Sequence, residues 1–167
     1  MNHTRTGFTL LETLVAVAIL LMSLLGPFAI AQQSLKSSYY ARDQVTAYYL
    51  AQEGIEFVRA VRDQNYLSAA PWLDGIGAVC TDVPCEVDYP NFTYSACQNG
   101  VCTPLRISAA GGLFNHATGE PSKFTRTVTL TPVVGNPESM IVSVTISWRS
   151  AGVSRVFTLQ ERLFDWL

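Results

Sequence analysis

The feature that most constrains this chain is an uninterrupted apolar segment close to its N-terminus. The run from Thr13 to Ala31 holds nineteen residues, and no charged residue occurs between Thr13 and Leu35. At about 1.5 Å per residue, a helix of this length reaches roughly 28 Å, enough to cross the hydrocarbon core of a bilayer. The segment therefore predicts a membrane-spanning helix. Arg5 in front of it favours export of everything that follows.

A single carboxylate, Glu12, stands at the entrance to this run. A charged side chain at the centre of a bilayer costs about 2.5 to 3.5 kcal/mol, and less near the interface, so such a residue normally has a partner. A cut after Gly7 would supply one, because it exposes the α-amino group of Phe8 four residues before Glu12. The sequence thus indicates a processed N-terminus whose positive charge pairs with an acidic residue in the helix.

Residues 7–16 (GFTLLETLVA), in front of a long apolar helix, resemble the N-terminal processing motif of type IV prepilins and type II secretion pseudopilins. The resemblance implies cleavage between Gly7 and Phe8 by a membrane aspartic peptidase, which also methylates the new N-terminus. It implies that other pilin or pseudopilin subunits are the partners, and that Glu12 pairs with a neighbour's Phe8 amino group to fix the axial register. Gly26 and Pro27 match the family's helix-weakening proline about one membrane depth along, where we expect a kink.

Two other interpretations of the N-terminus remain open. Ala29-Ile30-Ala31 resembles a signal-peptidase site, which would release a secreted binding module that starts at Gln32. A plain membrane anchor, for an extracytoplasmic binding module or an enzyme, is the other. Both leave Glu12 without an explanation, and the plain anchor also leaves the Gly7-Phe8 pair unexplained.

The helical pattern continues beyond the apolar run, since residues 32–64 contain no proline and only one glycine, Gly54. At 100° per residue one half of the helix is apolar and the other carries the charges. The apolar half comprises Ala47, Leu50, Ala51, Gly54, Ile55, Phe57, Val58 and Val61. We expect one helix over 8–65 whose second half packs on a globular core. Residues 41–63 resemble minor pilins and pseudopilins of the PilV and GspI kind.

The rest of the chain predicts loops followed by an antiparallel sheet. Polar and apolar residues alternate over 127–131 and 142–148, and the turns at 135–137 and 149–152 separate three firm strands, 124–134, 140–148 and 153–162. Shorter strands are expected at 86–89, 92–96 and 105–107. The predicted fold class is α+β and pilin-like. It has a leader (1–7), a membrane and filament-core helix (8–31), an amphipathic helix (32–65) and an exported region (66–167) that forms one domain with the amphipathic helix.

Four cysteines fall in two pairs, Cys80/Cys85 and Cys97/Cys102. An even count behind an export segment favours disulfides over a metal site, although four cysteines allow three pairings. The Asn99-Gly100 dipeptide suits a hairpin closed by its flanking cysteines.

No sequence pattern indicates a catalytic or cofactor site, and we expect a structural protein with no cofactor and no metal. The acidic residues Asp74, Asp82, Glu86 and Asp88 lack EF-hand spacing, which makes solvated loop carboxylates the simpler interpretation over a calcium site. His116 is expected at the surface or in a turn. The net charge of −2, without a basic stripe, gives no indication of nucleic-acid binding. The predicted location is the cytoplasmic (inner) membrane, single-pass, with the C-terminal domain extracytoplasmic, and then the filament.

Overall fold

The computed structural model describes residues 9–109 and 111–165. Its longest element is helix α1, which runs over 58 residues from Leu10 to Leu67 and includes Pro27. The predicted long helix is therefore confirmed, with its C-terminal end two residues later than expected. The chain divides into two compact units, Met1–Ala41 and Arg42–Leu167, so α1 contributes its first part to one unit and its second part to the other.

The second unit adds a short helix and seven strands. Helix α2 spans Ile76–Cys80. The strands are β1 (Cys85–Asp88), β2 (Thr93–Ala96), β3 (Pro104–Ile107), β4 (Phe114–Asn115), β5 (Glu120–Pro132), β6 (Ser139–Ser150) and β7 (Val153–Phe164). All six strands predicted from the sequence are present, with shifted ends. Helix α2 and the two-residue strand β4 were not predicted, because five and two residues are too short to show a period.

The strands form one antiparallel sheet built around β5 and β6. Residues 124–132 of β5 pair with 140–148 of β6, and β6 pairs with β7 along its whole length. The other edge of β5 is shared, since β1 meets it at Val128 and β3 meets it near its start. The α+β, pilin-like fold expected from the sequence is confirmed.

The core lies between the apolar half of α1 and the inner face of β5 and β6. All eight helix residues predicted to face the core are buried, and so are Val142, Val144, Ile146 and Trp148 of β6. Burying each large apolar side chain contributes about 1.5 to 3 kcal/mol. Gly54 permits a close approach, because a Cβ at this position would lie 2.9 Å from Cγ1 of Val144.

Polar groups also cross this interface, and no pattern in the sequence predicted them. Asp43, 2% exposed, lies on the same helix face as Ala47 and accepts a hydrogen bond from Lys123 Nζ at 2.6 Å. Arg126 of β5 is fully buried and donates to the carbonyl oxygens of Leu50 (3.2 Å) and Val87 (2.7 Å). Buried charged groups of this kind need such partners.

Candidate membrane and assembly segment

Helix α1 begins directly after the predicted processing position. The backbone N–H of Glu12 donates to Thr9 Oγ1 at 3.2 Å, and the N–H of Thr13 donates to the Thr9 carbonyl at 3.2 Å. Thr9 therefore caps the helix, and Thr9-Leu-Leu-Glu12 has the spacing of a capping box. The two residues on either side of the predicted cut, Gly7 and Phe8, lie outside the described residues.

Glu12 is exposed in the first turn of α1. A carboxylate here is favoured by the partial positive charge at a helix N-terminus, independently of any neighbour. Its exposed side chain is accessible to another chain. Pairing of Glu12 with a second subunit stays a prediction.

The first part of α1 presents apolar side chains all round. Every large hydrophobic residue from Leu10 to Ile30 is at least half exposed. An apolar surface of this extent needs lipid or other helices around it. Of the helices in the described part of the chain, α1 alone is long and apolar enough to cross a membrane, judged by length and composition.

The Gly26-Pro27 pair lies inside this segment without ending the helix. Proline has no N–H to donate to the carbonyl four residues before it, so one helical hydrogen bond is missing here. A Cβ at Gly26 would have no atom within 4 Å, so packing within the described chain does not require a glycine at this position. The expected kink remains a prediction.

Both disulfides join neighbouring cysteines. Cys80 pairs with Cys85 and Cys97 with Cys102, and no described cysteine is free. The second bridge closes a hairpin whose turn residues Asn99 (φ 52°) and Gly100 (φ 76°) both have positive φ. This is the backbone that a two-residue turn of the Asn-Gly type requires, and it agrees with the pairing that the sequence favoured for this hairpin.

The acidic residues of the loop region separate into two groups. Asp74 and Asp82 are exposed, whereas Glu86 and Asp88 lie on β1 and are largely buried. Asp88, 4% exposed, accepts hydrogen bonds from Asn91 Nδ2 (2.9 Å) and the His116 backbone N–H (3.0 Å). Within the described ranges these four carboxylates do not form a metal-binding group. Describing Glu86 and Asp88 as solvated loop residues was wrong, since β1 carries both into the domain.

His116 is also more buried than expected. Its Nδ1 lies 3.4 Å from Glu86 Oε2 and 3.3 Å from Thr103 Oγ1. Burial lowers the pKa of His116, and this outweighs the attraction of the Glu86 carboxylate. The imidazole is therefore neutral near pH 7 and acts as a hydrogen-bonding group. No sequence signal predicts this contact, because an isolated histidine in a turn-rich segment shows no period.

The comparison with protein families agrees with the geometry of the N-terminal segment. Residues 2–26 match the model of the prokaryotic N-terminal methylation motif, which spans the predicted cut, Glu12 and the start of the apolar run. No curated protein and no solved structure matches the chain. The motif is consistent with the type IV pilin-like family and supports prepilin-type processing. Together with the apolar helix it fits a membrane-anchored pilin.

Proposed function

We propose that this chain is a structural subunit, a minor pilin or pseudopilin, of a type IV pilus-like or type II secretion filament. The observation that carries the proposal is the start of α1. A capped helix begins at Leu10 within the methylation motif, carries Glu12 in its first turn and is apolar all round as far as Ile30. A secreted module or a plain anchor requires neither the motif nor the carboxylate.

In this proposal a prepilin peptidase cuts between Gly7 and Phe8 and methylates the Phe8 amino group. The membrane helix then holds the subunit in the cytoplasmic membrane, with the second unit outside. Assembly transfers the apolar surface from lipid to the helices of neighbouring subunits. Contacts between helices then replace contacts with lipid. In this apolar filament core Glu12 pairs with the N-terminus of a neighbouring subunit, and the low dielectric makes the ion pair stronger than it would be in water.

Intact-mass and N-terminal analysis tests the proposal in a host that carries a prepilin peptidase, with membrane and soluble fractions separated. We expect a membrane-bound product that starts at methylated Phe8. Replacing Gly7 with Val puts a branched side chain beside the scissile bond and should leave the leader attached. The matched control, Ala29→Leu with Ala31→Leu, removes the signal-peptidase pattern and should change nothing. A soluble product that starts at Gln32 and disappears in this control would overturn the proposal.

A further inference from the structure

We propose that the dithiol form of the Cys97–Cys102 hairpin is a binding site for Zn²⁺, with Glu86 as the third protein ligand. Across the described ranges, one group of potential metal ligands has all its donor atoms within 4.8 Å of one another: a Glu86 carboxylate oxygen and the sulfurs of Cys97 and Cys102. Both cysteines are buried, at 7% and 8% exposure. In the oxidised chain their sulfurs are joined, so the site forms only after reduction.

Backbone hydrogen bonds hold the two cysteines opposite each other in addition to the sulfur–sulfur bond. Their Cα atoms are 4.6 Å apart. The turn between them is closed by a hydrogen bond from the Val101 N–H to the Gln98 carbonyl at 2.9 Å. Tetrahedral zinc with Zn–S bonds of about 2.3 Å needs its sulfurs roughly 3.8 Å apart. The two cysteines flank the isolated antiparallel bridge between Gln98 and Val101, and rotation about their Cα–Cβ bonds can give this separation.

Glu86 is positioned beside the sulfurs by contacts of its own. One carboxylate oxygen accepts the backbone N–H of Thr103, and the other lies 3.4 Å from His116 Nδ1. A carboxylate oriented by hydrogen bonds in this way has the arrangement of a supported metal ligand. Thr127 Oγ1 donates to Cys102 Sγ at 3.3 Å, a contact that also stabilises a thiolate. Two thiolates and one carboxylate form a donor set that suits zinc.

Metal binding and the disulfide exclude each other. A dithiol or phosphine reductant gives two electrons to the Cys97–Cys102 bond, two protons from solvent complete the thiols, and the reductant is oxidised. Zn²⁺ then displaces both thiol protons to solvent and forms two Zn–S bonds and one Zn–O bond. An added small-molecule disulfide takes two electrons from the thiolates and, with two protons from solvent, becomes two thiols, while the Cys97–Cys102 bond re-forms and Zn²⁺ is released. The hairpin thus exchanges one covalent cross-link for one metal cross-link.

The second disulfide supplies a matched control. Cys80 and Cys85 are buried and have the same sequence separation, but among the residues that the structure describes no carboxylate or imidazole joins them in such a group. A reduced Cys80/Cys85 pair therefore offers two ligands, whereas the proposed site offers three. Zinc bound through general thiol affinity would not distinguish the two pairs.

The test is a Zn²⁺ titration of the full-length protein in detergent, oxidised and after phosphine reduction, with a chromogenic chelator as competitor. We expect one Zn²⁺ per chain in the reduced form alone. Binding should persist in Cys80→Ser/Cys85→Ser, disappear in Cys97→Ser/Cys102→Ser and weaken at least about tenfold in Glu86→Gln. Equal binding by the oxidised form, binding that survives loss of Cys97 and Cys102, or an unchanged affinity in Glu86→Gln would overturn the proposal.

A second measurement avoids any effect of substitutions on folding. The reduced wild-type chain is alkylated with and without Zn²⁺, and the modification of each cysteine is read by mass spectrometry. Protection of Cys97 and Cys102, with Cys80 and Cys85 modified equally in both samples, supports the proposal. Protection of all four cysteines or of none contradicts it.

Discussion

Arg126 of β5 and Glu53 of α1 form an ion pair at 3.0 Å in which the arginine side chain is fully buried and the glutamate is 31% exposed. The same guanidinium also donates hydrogen bonds to backbone carbonyl oxygens of α1 and β1. Three elements are therefore joined by one side chain. The position has a cost, since an arginine taken out of water must replace all its lost hydration with such contacts.

Replacing Arg126 with Ala should lower the free energy of unfolding by about 3 to 5 kcal/mol, because two buried carbonyls lose their donor and a large cavity opens. Arg126→Met, which keeps most of the volume, should cost less. Chemical unfolding of the full-length protein in detergent, followed by tryptophan fluorescence, measures both. Arg149→Ala on the exposed end of β6 is the control and should stay within about 0.5 kcal/mol. An Arg126→Ala effect no larger than the control would contradict this role.

Gly54→Ala should destabilise the protein even though alanine is about 1 kcal/mol better than glycine in a helix. The added Cβ would lie 2.9 Å from Val144 Cγ1 and 3.3 Å from Arg126 Cδ, so these side chains must shift or the helix and sheet must move apart. Combining it with Val144→Ala should cost less than the sum of the two single changes. Gly26→Ala is the control, because nothing lies within 4 Å of its added Cβ. If the losses of unfolding free energy for Gly54→Ala and Val144→Ala simply added in the double variant, the close approach of the helix to Val144 would be unimportant.

Arg126 and Asp43 show how far the sequence predicts the fold. The core could be predicted from the alternation over 142–148 and from the apolar half of α1. Each of these elements buries one continuous face, and a buried face appears in the sequence as a regular spacing of apolar residues. Arg126 occupies an inward position between Phe124 and Val128, and Asp43 occupies the helix face of Ala47. Each is a charged side chain at a position where the pattern would place an apolar one, and its partner lies on a distant segment of the chain, so the pattern did not predict the contact. Contacts such as Glu86 with His116 depend on loop geometry, which has no period.

Stability should fall as the pH drops below about 6.5. Burial lowers the pKa of His116 in the folded state, so the unfolded chain, with its ordinary value of about 6.5, binds the proton first. The stabilisation linked to His116 is fully present above the pKa of the unfolded state. It is lost as the pH falls towards the pKa of the folded state, and it does not change further below the folded-state pKa. His116→Gln should flatten this part of the profile, measured as midpoints of unfolding between pH 4.5 and 8. An unchanged profile in the variant would assign the loss of stability to groups other than His116.

Glu12→Ala should leave processing and membrane insertion intact but reduce incorporation into filaments. If Glu12 pairs with a neighbour's Phe8 amino group in the apolar filament core, losing one partner costs at least about 2 kcal/mol, or roughly thirtyfold in affinity. Glu12→Asp keeps the charge on a shorter side chain and should retain part of the incorporation into filaments. Glu56→Ala removes an exposed carboxylate from the second half of the same helix, outside the apolar run, and should assemble normally. Sheared filament fractions, quantified against total processed protein, measure all three. Normal incorporation of Glu12→Ala would rule out the register role while leaving the processing proposal standing, because the cleavage product is read separately.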